Sequence, residues 1–279
     1  MAVDRPTRHT DAHRHIGVLP PFGFYGGPPV NPDIHARATV DEVLADLDEE
    51  GTERALVMPN YGHPDPSHSF KLNDLVLEAV SRSDRLIGAL WTSPRPQDAE
   101  MSDKALSLAG EQGIKALKFS FLLGGSVDDE ACQERIDKIF ATARQHGLVV
   151  HVHTSPGAQS DIDQVGKLVD RYADDVPIHL VHFGGGVSGH IKLIGKRFWD
   201  WIEAGKKVYT DLTWSVGFAP TWLAAEIDKR GIGGDRVLFA SDLPWGEFVG
   251  EYHRMLHATG GKELTELVFS GNFDRLYGS

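Results

Sequence analysis

The chain has 279 residues, is 41% hydrophobic and 24% charged, and carries a formal net charge of −12. That balance describes an ordinary globular protein and disfavours nucleic acid or an anionic membrane as partner, since both would repel it. One cysteine, Cys132, excludes an intrachain disulfide and a thiolate zinc cluster.

The first predicted strand, Thr10 to Ile16, carries His13 and His15. Side chains two residues apart on a strand leave the same face, so the pair offers half of a metal site. Residues 17–38 are rich in proline, glycine and aromatics, which suggests an ordered loop insert over an active site, with Phe22 and Tyr25 as candidate substrate contacts. Thr39-Val40-Asp41-Glu42 reads as a capping box opening a helix striped by Val43, Leu44 and Leu47.

The chain then alternates. Apolar strands are predicted at 55–58, 86–91, 114–119, 148–153, 177–182, 207–212 and 237–242. Helical periodicity lies between them, near 72–80, 98–112, 128–146, 160–173, 190–204 and 219–230, and runs from the last strand to the end. Eight strand–helix units in a chain of roughly the usual 250 residues point to an α/β fold, a single (β/α)8 TIM barrel spanning 1–279. A doubly wound sheet is disfavoured because no Gly-x-Gly-x-x-Gly follows the first strand.

Catalytic groups of such barrels sit at the C-terminal ends of strands. Here those ends carry His13 and His15, Lys118, His151 and His153, His182, Asp211 and Asp242. A single core histidine is usually just hydrogen-bonded to a neighbour. Five of the 14 histidines converging on one rim call for another explanation. Three imidazoles and a carboxylate make the ligand set of a catalytic divalent metal. Gly184-Gly185-Gly186 fits a tight turn behind His182, and the stretch from Gly186 to His190 lacks the closing glycine of a serine nucleophile elbow.

The motifs Asp11-Ala12-His13-Arg14-His15, Val152-His153-Thr154, Val181-His182-Phe183-Gly184-Gly185-Gly186, Phe239-Ala240-Ser241-Asp242-Leu243-Pro244-Trp245 and Gly271-Asn272-Phe273 resemble the amidohydrolase-related metal-dependent hydrolases. The closest branch is the one that includes aminocarboxymuconate semialdehyde decarboxylase-like enzymes, over about residues 10 to 277. The resemblance implies that His13, His15, His153 and Asp242 bind one divalent ion, with zinc favoured and manganese the alternative. It makes His182 the acid/base and gives Asp242 a share in catalysis. Lys118 is either a carboxylated bridging lysine, as in binuclear members, or a lysine that orients substrate or pairs with a carboxylate, and the second reading is preferred. His151 is given a supporting role, Asp211 holds His182 or caps a turn, and Asn272 is structural. Arg14 departs from the small or apolar residue usual between the two histidines.

Trp91, Trp214 and Trp245 each follow a strand and would shape a pocket for an apolar or ring-containing substrate. The leading reading is a metal-dependent hydrolase of a small cyclic amide, lactone or ester, acting through metal-activated water. The alternative is a non-oxidative decarboxylase of a small carboxylated aromatic or unsaturated substrate, for which an arginine clamp is expected and Arg14 and Arg197 are candidates. The expected partner is a small molecule, with neither nucleic acid nor membrane, and a homodimer is compatible with the sequence. Residues 1–9 are polar, so no signal peptide is expected, and no run reaches the roughly 18–20 apolar residues of a membrane span. The expected location is the cytoplasm.

Overall fold

The computed structural model describes residues 5–19, 39–61 and 66–278. Seven parallel strands pair in sequence order: β1 (His9–Ile16), β2 (Thr52–Pro59), β3 (Leu86–Trp91), β4 (Ile114–Phe119), β5 (Val149–His153), β6 (Ile178–Val181) and β7 (Val208–Thr210). Helices follow the strands, among them Val40–Glu50, Asn73–Arg82, Ala99–Ser107, Glu130–His146, Ile162–Tyr172 and Ala219–Arg230. The capping box at Thr39 forms, with Glu42 returning a bond to the Thr39 backbone. Phe22 and Tyr25 lie outside the described residues.

The expected eighth strand is an extended segment rather than a regular strand, yet it closes the barrel. Val237 bridges Thr210 on one side. On the other, Ala12 N donates to Phe239 O at 3.0 Å, Asp242 N to His13 O at 2.8 Å, and His15 N to Leu243 O at 2.8 Å. Its ladder to β7 is short because the Asn272 side chain donates to Val237 O (2.8 Å) and Phe239 N donates to Val268 O (2.8 Å), which gives the segment partners outside the sheet. Asn272 is thus structural, as the sequence suggested.

Two apolar layers follow from strand alternation. One set of strand residues, including Val57, Leu90, Leu117, Val150 and Leu180, packs outward against the helices. The other, including Ala12, Leu56, Met58, Ala89, Ala116 and Leu238, fills the barrel interior together with Phe273 and Tyr277 of the terminal helix Asn272–Tyr277. The fold is an α/β (β/α)8 barrel. Among the described residues no helix is long and apolar enough to cross a membrane.

Candidate metal centre and active site

β1 contains the device that aims the first two histidines. Asp11 pairs with Ala55 and Arg14 with Val57, so three steps on β1 face two on β2. This one-residue bulge puts Ala12 in the interior layer and turns the next residue, His13, inward as well. His15 follows on the same face, while Arg14 points to the outer helix.

His13 Nε2, His15 Nε2 and Asp242 Oδ1 form a triangle with edges of 3.1, 3.2 and 3.1 Å. Donors bound to one divalent ion at ~2.0–2.2 Å lie roughly 3.0–3.5 Å apart. His15 Nδ1 donates to Pro59 O at 2.8 Å, which leaves its Nε2 lone pair facing the triangle. Asp242 Oδ1 is buried and accepts no aligned hydrogen bond from the described residues. Burial pushes the His13 pKa down to about 3, with only partial relief from Asp242, so at neutral pH the ring is an uncharged imidazole, the form that ligates metals. Two imidazole nitrogens and a carboxylate oxygen converging at this spacing fit a cation.

Asp242 reaches this point from a left-handed backbone conformation (φ 54°), and His182 (φ 65°), Phe183 (φ 46°) and Trp214 (φ 56°) are also left-handed. Such conformations are costly for non-glycine residues and gather where a side chain must be aimed. Glycines make the turn behind His182 fit. A Cβ on Gly185 would stand 2.6 Å from Ser155 Cα and 2.7 Å from Thr154 O.

His182 ends a buried hydrogen-bond chain whose polarity can be followed atom by atom. Thr213 Oγ1 donates to Asp211 Oδ1 at 2.5 Å, so it accepts from His182 Nδ1 at 2.7 Å. The His182 Nε2 lone pair is thereby left free, 3.8 Å from Asp242 Oδ2. On the other side, His179 Nε2 donates to Asp211 Oδ2 at 2.9 Å, and its Nδ1 accepts from the Tyr277 hydroxyl at 3.1 Å. That hydroxyl in turn accepts from His151 Nε2 at 2.7 Å. Burial lowers the His182 pKa, and Asp242 and Asp211 offset part of the shift.

His153 was expected to join the metal ligands. It lines the same cavity and packs against the His182 ring at 4.9 Å, but it is outside the close triad of His13, His15 and Asp242. Lys118 also lines the cavity, and burial pushes its amine down to about 8 against the pull of Asp242 and Asp211.

Arg14, whose role was open, is fully buried on the outer face. Its Nε bonds Asp11 Oδ2 at 3.0 Å and its Nη2 bonds Glu50. Asp11 also accepts from Ser241 N (3.0 Å), Ser241 Oγ (2.6 Å) and His13 N (3.1 Å). The arginine thus fixes the carboxylate that ties β1 to the Asp242 segment. Arg197 stacks on Trp201 and bonds Asp170 between helices. Neither arginine lines the cavity.

The cavity holds about 450 Å³. Trp91, Trp214 and Trp245 are on its wall, together with Tyr61, which sequence reasoning missed. Tyr61 stacks on Trp245 (5.0 Å, 25°) and lies parallel to Trp91 (6.3 Å, 8°). Asn60 orients this wall by accepting from Trp245 Nε1 at 3.0 Å and donating to Gly17 O at 2.6 Å. His179 and Tyr277 were missed too. The inward parity of His179 with His151 was available in the sequence, but nothing there linked Tyr277 to either.

A family model described as amidohydrolase matches residues 10–279. No curated protein sequence matches the chain significantly. Among solved structures, 5-carboxyvanillate decarboxylase from Sphingomonas paucimobilis superposes with a TM-score of 0.69 at 16% identity, covering 97% of this chain and 99% of that one. The Novosphingobium aromaticivorans 5-carboxyvanillate decarboxylase, complexed with manganese and 4-hydroxy-3-methoxy-5-nitrobenzoic acid, gives 0.69 at 16% identity and covers 100% of both chains. A "probable 2-pyrone-4,6-dicarboxylic acid hydrolase" from Acinetobacter baumannii gives 0.63 at 16% identity, covering 98% and 100%. At such identities the likeness is one of fold.

Proposed function

The chain belongs to the amidohydrolase family, and on that premise we propose that it is a divalent-metal-dependent hydrolase of a small cyclic lactone, amide or ester. The observation that carries this reading is the triangle of His13, His15 and Asp242 beside the free Nε2 of His182. His13, His15 and Asp242 would hold the ion, zinc or manganese, with His153 the candidate fourth donor from β5. When bound, the ion supplies Lewis acidity and brings water ionisation toward neutral pH.

The chain's own groups do the rest. His182 Nε2 takes a proton from the attacking water and returns it to the leaving group, with its tautomer held by Thr213 and Asp211. Asp242 Oδ2 lies beside it to receive or steer the same proton. Trp91, Tyr61, Trp214 and Trp245 wall the cavity against bulk water.

Decarboxylation of a carboxylated ring is the second reading. What favours it is the buried Lys118 amine, a cation on the cavity wall. Against it, Arg14 and Arg197 are both committed elsewhere. The test compares wild type with His13→Ala and Asp242→Asn by elemental analysis, then by turnover of lactone and carboxylated-aromatic panels. We expect about one equivalent of metal in wild type, loss of metal in His13→Ala and Asp242→Asn, and acid release from lactones that disappears with the metal. Carbon dioxide release would select the second reading. A wild type that takes up neither zinc nor manganese sinks both.

A further inference from the structure

The cavity contains three polar groups without hydrogen-bond partners among the described residues. Lys118 Nζ, Trp91 Nε1 and Ser155 Oγ are all buried, all belong to residues lining the cavity, and none meets an acceptor there. Lys118 is 2% exposed and Trp91 1%. Leaving a buried donor unmet is expensive, and a buried ammonium more so. Such groups persist where a ligand supplies the acceptor.

Trp91 and Lys118 are direct register partners across β3 and β4, so their side chains leave the sheet inward at one level. The metal triangle belongs to β1 and the eighth segment, whereas Trp91 and Lys118 rise from β3 and β4. Asp242 and Asp211 act on Lys118 through space, yet no carboxylate among the described residues forms an ion pair with it. A lysine kept only to balance those carboxylates would be expected to contact one. Next to it, Trp91, Tyr61 and Trp245 make a continuous aromatic wall.

We propose that the substrate is a planar, ring-containing anion whose carboxylate binds Lys118 Nζ with help from Trp91 Nε1 and Ser155 Oγ, outside the triangle of His13, His15 and Asp242, while its ring lies on Tyr61 and Trp245. This rests on the functional reading above and narrows it. The reacting bond is presented to the metal triangle, and a second group of the substrate, not taking part in the chemistry, is anchored at Lys118. Discrimination then depends on a charge: a neutral analogue leaves the buried ammonium unpaired.

The test uses benzoate and benzamide, a planar anion and its neutral counterpart, titrated calorimetrically into metal-loaded protein. Wild type is expected to bind benzoate at least about tenfold more tightly, one charged hydrogen bond being worth roughly 1.5–3 kcal/mol. Lys118→Met and Lys118→Gln should lose that preference and keep their metal. His13→Ala, deprived of the ion, should retain it. Trp91→Phe, which keeps a ring but removes the N–H, should weaken benzoate several-fold more than benzamide, and this variant decides the matter if the lysine variants do not fold. The proposal is overturned if wild type shows no preference, or if the preference survives in both lysine variants. Loss of the preference in His13→Ala would put the carboxylate on the metal, and loss of metal in the lysine variants would make Lys118 a support for the ion. An equal effect of Trp91→Phe on both probes also overturns it. Metal content reads the functional assignment separately, so either idea can fail alone.

Discussion

Individual side chains in this barrel are defined by what burial does to their charge. Arg14 is the clearest case, a fully buried cation tolerated because Asp11 and Glu50 surround it. His190 is the opposite case: fully buried, with no carboxylate of the described residues beside it and with burial outweighing the backbone contacts at His182 and Gly186 that favour its charged form. Burial pushes its pKa down to about 4 from an ordinary 6.5. As pH falls through that window the unfolded chain takes up the proton before the folded one does. Folding stability contributed by neutral His190 is therefore complete above about 6.5 and is lost progressively toward about 4. Urea unfolding of His190→Leu at a series of pH values should give a shallower acid slope than wild type, by up to one proton. Parallel slopes would show that His190 ionises alike in both states.

At the level of elements, short irregularities do the aiming. The β1 bulge turns His13 inward, and the left-handed residues at 182 and 242 turn the ends of two wall segments toward it. The terminal helix Asn272–Tyr277 reaches the site from the far side, its Tyr277 hydroxyl bridging His151 and His179. Removing that hydroxyl leaves two buried ring nitrogens unpartnered. Tyr277→Phe is expected to cost roughly 1–3 kcal/mol in chemical denaturation while metal content stays at the wild-type level. It should also loosen the tautomer control on His182 and displace the basic or acidic limb of the pH–rate profile. An unchanged midpoint together with an unchanged profile would reduce the bridge to packing.

For the whole molecule, the decisive fact is closure. The segment around Asp242 bonds to β7 on one side and β1 on the other, so the metal triangle spans the seam where the chain's last wall segment meets its first strand. An ion at that seam would tie the two ends of the barrel together and stabilise only the closed state. At free metal a thousandfold above its dissociation constant, the linkage adds about 4 kcal/mol. Chelator-treated protein should therefore melt at lower temperature than metal-loaded protein, and His13→Ala should melt alike under both conditions. A melting temperature indifferent to metal in wild type would contradict a site at the seam.

The sequence by itself determined the barrel and the candidate residues at its rim. Continuous apolar strands alternating with helical periodicity are local patterns, and polar residues at strand ends are conspicuous against them. The His13 and His15 pair, the glycine turn after His182 and the aromatics following strands were legible for that reason. Only the tertiary structure decided which groups meet. It brought Asp242 to within 3.2 Å of both first-strand histidines while His153 stood outside the triangle. It turned Arg14 away from the cavity, left Lys118 without a partner among the described residues, and added Tyr61 and Tyr277, whose signals in the chain are ordinary. Hydrogen-bond partners, bulges and closure depend on atoms more than 200 residues apart, as between Asp11 and Ser241, and local periodicity carries no information over that distance.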